Sequence, residues 1–231
     1  MISPFRADSI GNTSDKAEKI LVDINADKNA SFLNAVSALY DSLKLNAAGL
    51  SKQALEYGYK GYQKLLNQGS ITHPGLLTIC DFSQSSRKKR LYVIDMNNYK
   101  LLMNTFVAHG KNTGAEYATS FSNNPESLQS SLGFYVTRNP YQGKHGLSLK
   151  IDGMEKGFND NALERDIVIH GANYTDKNFT DAKSYLGRSW GCPAVPQKQT
   201  AKIINTIKDG TCLFIYHPTS SYLHGSMILN G

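Results

Sequence analysis

The segment Ile167–Pro196 carries a histidine and a cysteine in settings that suit chemistry. The run Ile167-Val168-Ile169 reads as a strand that delivers His170, followed at once by Gly171. A loop then leads to Gly187-Arg188-Ser189-Trp190-Gly191-Cys192-Pro193. Gly191 lets the backbone turn tightly or approach a ligand closely. Pro193 fixes its own φ and restricts Cys192 to extended conformations, so the pair makes a rigid mount for an exposed thiol. A cysteine nucleophile needs a base or cation to lower its pKa from about 8.5. A loop of this length can fold His170 back onto Cys192, and Arg188 adds positive charge that suits a thiolate or a substrate carboxylate. Backbone N–H groups of Gly191 and Cys192 can form an oxyanion hole. The same residues also fit a packed cysteine and a hydrogen-bonded core histidine, because Cys–His spacings do not transfer between families.

Other chemistries find less support. The chain has three cysteines, Cys80, Cys192 and Cys212, too few for a disulfide scaffold, and the odd number leaves at least one outside any intrachain pair. No His-x-His, His-Glu-x-x-His or paired-cysteine spacing appears, so neither a metal site nor a cofactor is expected. With 231 residues and a net charge of +6, the chain suits one domain with a polyanionic partner: nucleic acid, anionic lipid or an anionic cell envelope. The basic run Arg87-Lys88-Lys89-Arg90 has no interleaved aromatics, which makes a poor nucleic-acid platform and reads as a solvated loop. The longest unbroken apolar run, Cys212–Tyr216, is five residues against the roughly 20 that a membrane span needs. The first residues lack the apolar core of a secretory signal.

The positioning elements follow from periodicity. Residues 1–14 read as a loose tail. Phe32, Leu33, Val36, Leu39, Tyr40 and Leu43 recur at helical spacing. Ser51 predicts the N-cap of a second helix over 52–67 with Leu55, Tyr59, Tyr62 and Leu66 on one side, although Gly58 and Gly61 each cost about 1 kcal/mol relative to Ala. From Leu76 the texture becomes β-rich: Leu76–Phe82, Leu91–Asp95 and Leu101–Val107, then Phe134–Thr137, Leu147–Ile151, Ile167–Ile169 and Leu213–Tyr216. Asn97-Asn98 predicts a tight hairpin, and a helix is expected over Gln197–Lys208, ending at Gly210.

With these residues in hand, His170-Gly171 followed by Ser189-Trp190-Gly191-Cys192 resembles the signature of the YkuD-type L,D-transpeptidases, which carry a His-Gly or His-Ser pair, a loop, then Ser-x-Gly-Cys. Residues 187–194 resemble the branch with Gly-Arg-Ser-x-Gly-Cys-Pro-Ala. Val107–Gly110, Phe121–Asn123, Ser130–Tyr135, Tyr141–Gly146 and Gly157–Ala162 are similar to it as well, so the likeness spans roughly residues 50–217. Two positions depart from commoner members: Ala194 stands where an arginine often follows the cysteine, and Trp190 where some relatives place a second histidine.

The resemblance implies an α+β, mainly β fold: a sandwich-like catalytic core over 71–231, with a helical N-terminal segment, 15–70, packing on it. It implies peptidoglycan stem peptides as substrate. Cys192 would form an acyl-enzyme with a tetrapeptide stem, release D-alanine and pass the acyl group to an amine, giving a 3–3 cross-link. His170 would move the protons, with the Gly171 carbonyl or the Ser189 hydroxyl holding its tautomer. Ser189 also fits a cap of the turn that presents Cys192. His109, His145 and Tyr141 would stand at the site rim as substrate-binding candidates, although His109 and His145 also fit plain loop roles, and Tyr141 ordinary packing. Water as acceptor would make an L,D-carboxypeptidase or endopeptidase instead, and a non-catalytic wall-binding module is a further alternative. The implied location is the periplasm or cell wall, reached by export with the signal removed.

Overall fold

The computed structural model describes residues 30–176, 178–179 and 184–231. The expected tail, 1–14, lies outside them. Helix α1 occupies residues 30–42, followed by a one-turn helix α2 (Leu45–Ala48) and α3 (Lys52–Asn67). The Ser51 hydroxyl accepts from the Ala54 N–H at 3.1 Å, the N-cap that the sequence predicts for α3. Gly58 and Gly61, costly for an isolated helix, face the sheet here. A Cβ on Gly61 would lie 2.0 Å from the Phe134 ring, and one on Gly58 3.1 Å from Ile79 Cδ1. The two glycines let the helix axis come close enough to bury its face on the sheet.

That sheet has eight strands: β1 (Leu76–Asp81), β2 (Leu91–Asp95), β3 (Lys100–Thr105), β4 (Gly133–Gly143), β5 (Gly146–Gly153), β6 (Val168–Ala172), β7 (Ala194–Pro196) and β8 (Cys212–Tyr216). Their order is β3-β2-β1-β8-β4-β5-β6-β7, mostly antiparallel, with parallel pairs β1·β8 and β6·β7. The mixed sheet curls into a near-barrel flanked by helices, the α+β, mainly β architecture expected of a YkuD-like core. Between β2 and β3 the Asp95 carboxylate accepts from the N–H groups of Asn97 and Asn98, closing the hairpin. The expected helix near 200 forms as α4 (Thr200–Ile207) behind a short 3-10 turn. Two short helices, α5 (Ser220–Gly225) and α6 (Met227–Asn230), close the fold. Strand periodicity gave no sign of β7, whose three residues are too few to carry a period.

Cys80 and Cys212 are both buried and unbridged. They sit on adjacent strands but out of register, Cys80 opposite Ile215 and Cys212 opposite Leu77, so their packing and not a disulfide explains them. The basic run divides: Arg87, Lys88 and Lys89 are exposed as expected, whereas Arg90 is 0% exposed. Reading all four as a solvated loop is therefore corrected. Arg90 begins the turn into β2, and its guanidinium finds acceptors inside the protein, the carbonyls of Val107 and Gln84, with the Phe82 ring 4.7 Å beneath it. No helix among the described residues is long and apolar enough to cross a membrane.

Candidate active site

Strand β6 brings His170 to the sheet edge, where β7 runs parallel to it with His170 opposite Ala194. The residues that precede β7 therefore arrive beside His170, and Cys192 is two positions upstream of that register point. Both line one cavity of about 700 Å³. The long loop between β6 and β7 supplies Tyr174, Arg188, Ser189 and Trp190 to its wall. The β4–β5 hairpin supplies Tyr141, Lys144, His145 and Ser148, and the turn before β6 supplies Arg165 and Asp166.

The Cys192 mount is held by backbone geometry and by Ser189. The Ser189 hydroxyl donates to the Cys192 carbonyl at 2.6 Å and accepts from the Gly191 N–H at 3.1 Å. The cap role is the one that the structure gives it; no bond joins it to His170 among the described residues. Gly191 has φ +131°, and a Cβ there would lie 2.8 Å from the Gln129 carbonyl oxygen and 2.9 Å from Ile167 Cδ1. Only glycine combines that φ with that approach. The Ser130 hydroxyl donates to the Gly191 carbonyl. On the other side, Ser189 donates its N–H to the His109 carbonyl at 3.0 Å and accepts from the Lys111 N–H at 2.7 Å.

The Cys192 sulfur rests as a donor to the Asp166 carbonyl at 3.6 Å and as an acceptor from the Val168 N–H at 3.5 Å. Burial pushes its pKa up; the Val168 N–H and the Arg165 charge oppose that rise. Burial pulls the His170 pKa down, with a smaller push in the same direction from neighbouring His145. At neutral pH the two groups therefore rest as thiol and neutral imidazole. His170 Nδ1 lies 3.0 Å from the Gly171 carbonyl, which can only accept, so that bond assigns the proton to Nδ1 and leaves Nε2 as the basic nitrogen. Gly171 is further fixed by space, since a Cβ would meet Thr200 Oγ1 at 2.3 Å. No hydrogen bond joins His170 to the sulfur among the described residues.

The rim candidates separate. His145 stacks on His170 with ring centroids 4.4 Å apart, and Tyr141, 37% exposed, carries Lys150 Nζ 5.5 Å over its ring. Both reach the cavity. His109 does not: it is 1% exposed, Arg90 donates to its Nδ1 at 2.7 Å, and its Nε2 faces the Gly114 carbonyl at 3.2 Å. The rim role expected for it gives way to a buried one, because both ring nitrogens already have partners. Arg188 lines the cavity but spends Nη1 on the carbonyls of Lys111 and Gly114. The Gly191 N–H, an expected oxyanion donor, is engaged by Ser189. Periodicity and motif reading missed Arg165, Asp166 and Tyr174, which lie outside the quoted segments or within the intervening loop. Trp190, read only as a substitution, is 77% exposed at the cavity mouth.

Three of the other quoted segments, 121–123, 130–135 and 157–162, converge behind this mount. Asn159, fully buried, donates to the Leu132 and Phe134 carbonyls and accepts from the Glu155 N–H. Asn123 bridges to Asp160 and Asn161. Residues 121–135 and 155–162 thus form one hydrogen-bonded block against Gly191.

The L,D-transpeptidase catalytic domain family matches residues 46–216, well over half of the chain. This chain belongs to that family. Solved structures similar to this L,D-transpeptidase domain include an L,D-transpeptidase from Mycobacterium smegmatis (10% identity, 62% of this chain and 59% of that one, TM-score 0.39). Another is an L,D-transpeptidase from Mycobacterium tuberculosis (12% identity, 62% and 58%, TM-score 0.37). A third is a helical cell shape determining protein from Campylobacter jejuni (15% identity, 70% and 57%, TM-score 0.38). The chain spans less than two thirds of the length of each. No curated protein matches the sequence.

Proposed function

We propose that this L,D-transpeptidase domain cross-links peptidoglycan through a Cys192 thioester, acting in the bacterial cell envelope where that substrate lies. The observation that carries the reading is the shared cavity of Cys192 and His170, with Nδ1 of His170 tied to the Gly171 carbonyl so that Nε2 is basic. In the first half-reaction Nε2 takes the thiol proton as the sulfur attacks the carbonyl of the diamino acid at the third stem position. The resulting imidazolium gives its proton to the departing amine, D-alanine leaves, and a thioester remains. In the second, the side-chain amine of another stem attacks the thioester, His170 removes its proton, and the Cys192 thiol is restored. With the Gly191 N–H engaged, the Cys192 N–H is the backbone donor assigned to the developing oxyanion. His145 and Tyr141 form the wall that seats the stem peptide.

Incubation with purified tetrapeptide muropeptides, followed by mass spectrometry, tests this. The expected products are D-alanine, 3–3 dimers and an acyl adduct on Cys192, all absent in Cys192→Ala. Tripeptides without dimers would assign water as the acceptor. Absence of D-alanine, dimers and adduct would overturn the enzymatic reading in favour of wall binding.

A further inference from the structure

Residues 165–168 surround the Cys192 sulfur with one chain segment. The Asp166 carbonyl accepts from the thiol, and the Val168 N–H donates to the sulfur. Ile167 Cδ1 and the Arg165 guanidinium pack on Gly191: a Cβ at Gly191 would lie 2.9 Å from the first and 3.4 Å from Arg165 Nη2. Asp166 adopts φ +52°, the left-handed turn that swings its carbonyl towards the sulfur. Arg165 is held in this place by four hydrogen bonds from its two terminal nitrogens. Its Nη1 donates to the Ser122 carbonyl at 2.8 Å and to Ser131 Oγ at 2.5 Å, and its Nη2 to the Gln129 carbonyl at 2.6 Å and Ser127 Oγ at 3.2 Å. Every one of these acceptors is neutral. The two ion pairs among the described residues are Arg138–Asp152 and Lys208–Asp209, so no carboxylate cancels the Arg165 charge by direct contact.

We propose that Arg165 is the positioning cation of the nucleophile: it braces the backbone behind Gly191 and holds a positive charge where the Cys192 thiolate forms. The proposal rests on Cys192 being the reactive thiol. Arg188, the other arginine at the cavity, is tied through Nη1 to the Lys111 and Gly114 carbonyls. Charge coupling runs both ways. After burial and the Val168 N–H, Arg165 is the next influence on the Cys192 pKa and lowers it. Burial lowers the Arg165 pKa, and Tyr135 and then Cys192 raise it. The other ionisable groups that line the cavity with the sulfur are Lys144, Asp166 and Arg188 as charges, and the His145, His170, Tyr141 and Tyr174 rings. Asp166 opposes Arg165 by raising the thiol pKa.

The test is the pH dependence of Cys192 alkylation by iodoacetamide in the whole protein without peptide, read at Cys192 by peptide mass spectrometry. The thiol gives its proton to solvent or His170, the sulfur forms the carbon bond and iodide leaves, so the rate follows the thiolate fraction. Arg165→Gln should move the profile to higher pH and slow alkylation at pH 7 by about threefold or more, while Arg165→Lys, which keeps the charge but not the fork of hydrogen bonds, should hold the wild-type profile. Near-ultraviolet circular dichroism reports whether each variant is folded. A profile unmoved in Arg165→Gln overturns the proposal, as does an equal shift in both variants, which would leave Arg165 a brace only. If Arg165→Gln does not fold, Arg165→Lys decides alone: a displaced profile overturns the proposal. Since no muropeptide is used, a protein that turns over muropeptides with an unmoved profile refutes this inference and spares the proposed function. A shifted profile without turnover does the reverse.

Discussion

The imidazoles of His145 and His170 lie nearly parallel, 22° apart with centroids at 4.4 Å. One comes from the tip of the β4–β5 hairpin and the other from the middle of the neighbouring strand, where Ser148 stands opposite His170. The stack covers one face of the proposed base and sets a second titratable ring against it. Burial and the His145 ring both pull the His170 pKa down.

That arrangement predicts a pH effect. In the proposed mechanism turnover needs neutral His170, so activity is lost as pH falls through the His170 pKa. His145→Phe keeps an aromatic face but removes the repulsion, so the His170 pKa rises and the acid limb of kcat/KM moves to higher pH. A pH–rate profile on muropeptides checks this; an acid limb that stays put or moves lower contradicts the coupling.

Ser189 and Gly191 predict a separable pair of losses. Ser189→Ala removes the acceptor for the Gly191 N–H and the donor to the Cys192 carbonyl, costing about 1–3 kcal/mol of stability and displacing the thiol. Turnover should fall by more than tenfold, with Ser189→Thr recovering part of it. Gly191→Ala meets both the positive φ and the Gln129 carbonyl, and should lose activity entirely. Urea unfolding beside kcat measurements distinguishes the two effects.

His109 predicts an acid-sensitive structure. Burial, then the Arg90 charge, depress its pKa from an ordinary 6.5 to about 3. The unfolded chain therefore binds a proton below pH 6.5 that the folded chain refuses, and stability falls as pH drops from about 6.5 towards 3, by up to about 1.4 kcal/mol per unit from this residue. His109→Gln offers an acceptor to Arg90 and a donor to Gly114 without the titration. Its Tm should decline less steeply over that window than the wild-type Tm does.

Gly61→Ala tests the helix–sheet contact. A methyl group placed 2.0 Å from the Phe134 ring forces α3 away from the sheet. The gain in helix propensity of about 1 kcal/mol is outweighed by overpacking that costs about 1–3 kcal/mol. A net loss of stability in chemical denaturation is expected; a gain would mean that the ring moves aside freely.

Much of this protein was legible in one dimension because the signals are local. Ser51 caps the helix that follows it, the β-rich runs became β1, β2, β3, β4, β5, β6 and β8, and Gly191, Cys192 and Pro193 carry the turn chemistry of the Cys192 mount. Each depends on residues within a few positions of one another, which is the range over which propensity and hydrogen-bonding competition act. The glycines of α3 show the limit of local reading, although the helix forms over 52–67 as predicted. Their local cost is real, but the compensating contact with Phe134 is about seventy residues away in sequence.

What only the tertiary structure decided depends on register and burial. The parallel pairing of His170 with Ala194 puts the His170 ring and the Cys192 thiol in one cavity, and no local pattern encodes which residue of a three-residue strand faces which. Arg90 and His109 were misplaced because charge and ring chemistry suggest solvent. Their mutual hydrogen bond, together with the Val107 and Gly114 carbonyls, satisfies them in the interior, and burial of a polar group turns on partners that the chain brings from a distance. Arg165 stayed invisible because its role rests on four acceptors spread over residues 122–131 and on a sulfur carried by a separate loop. The sequence by itself identified the family and singled out Cys192 and His170 as the candidate pair; the fold alone decided which charges surround those two side chains, because electrostatics acts through space and not along the chain.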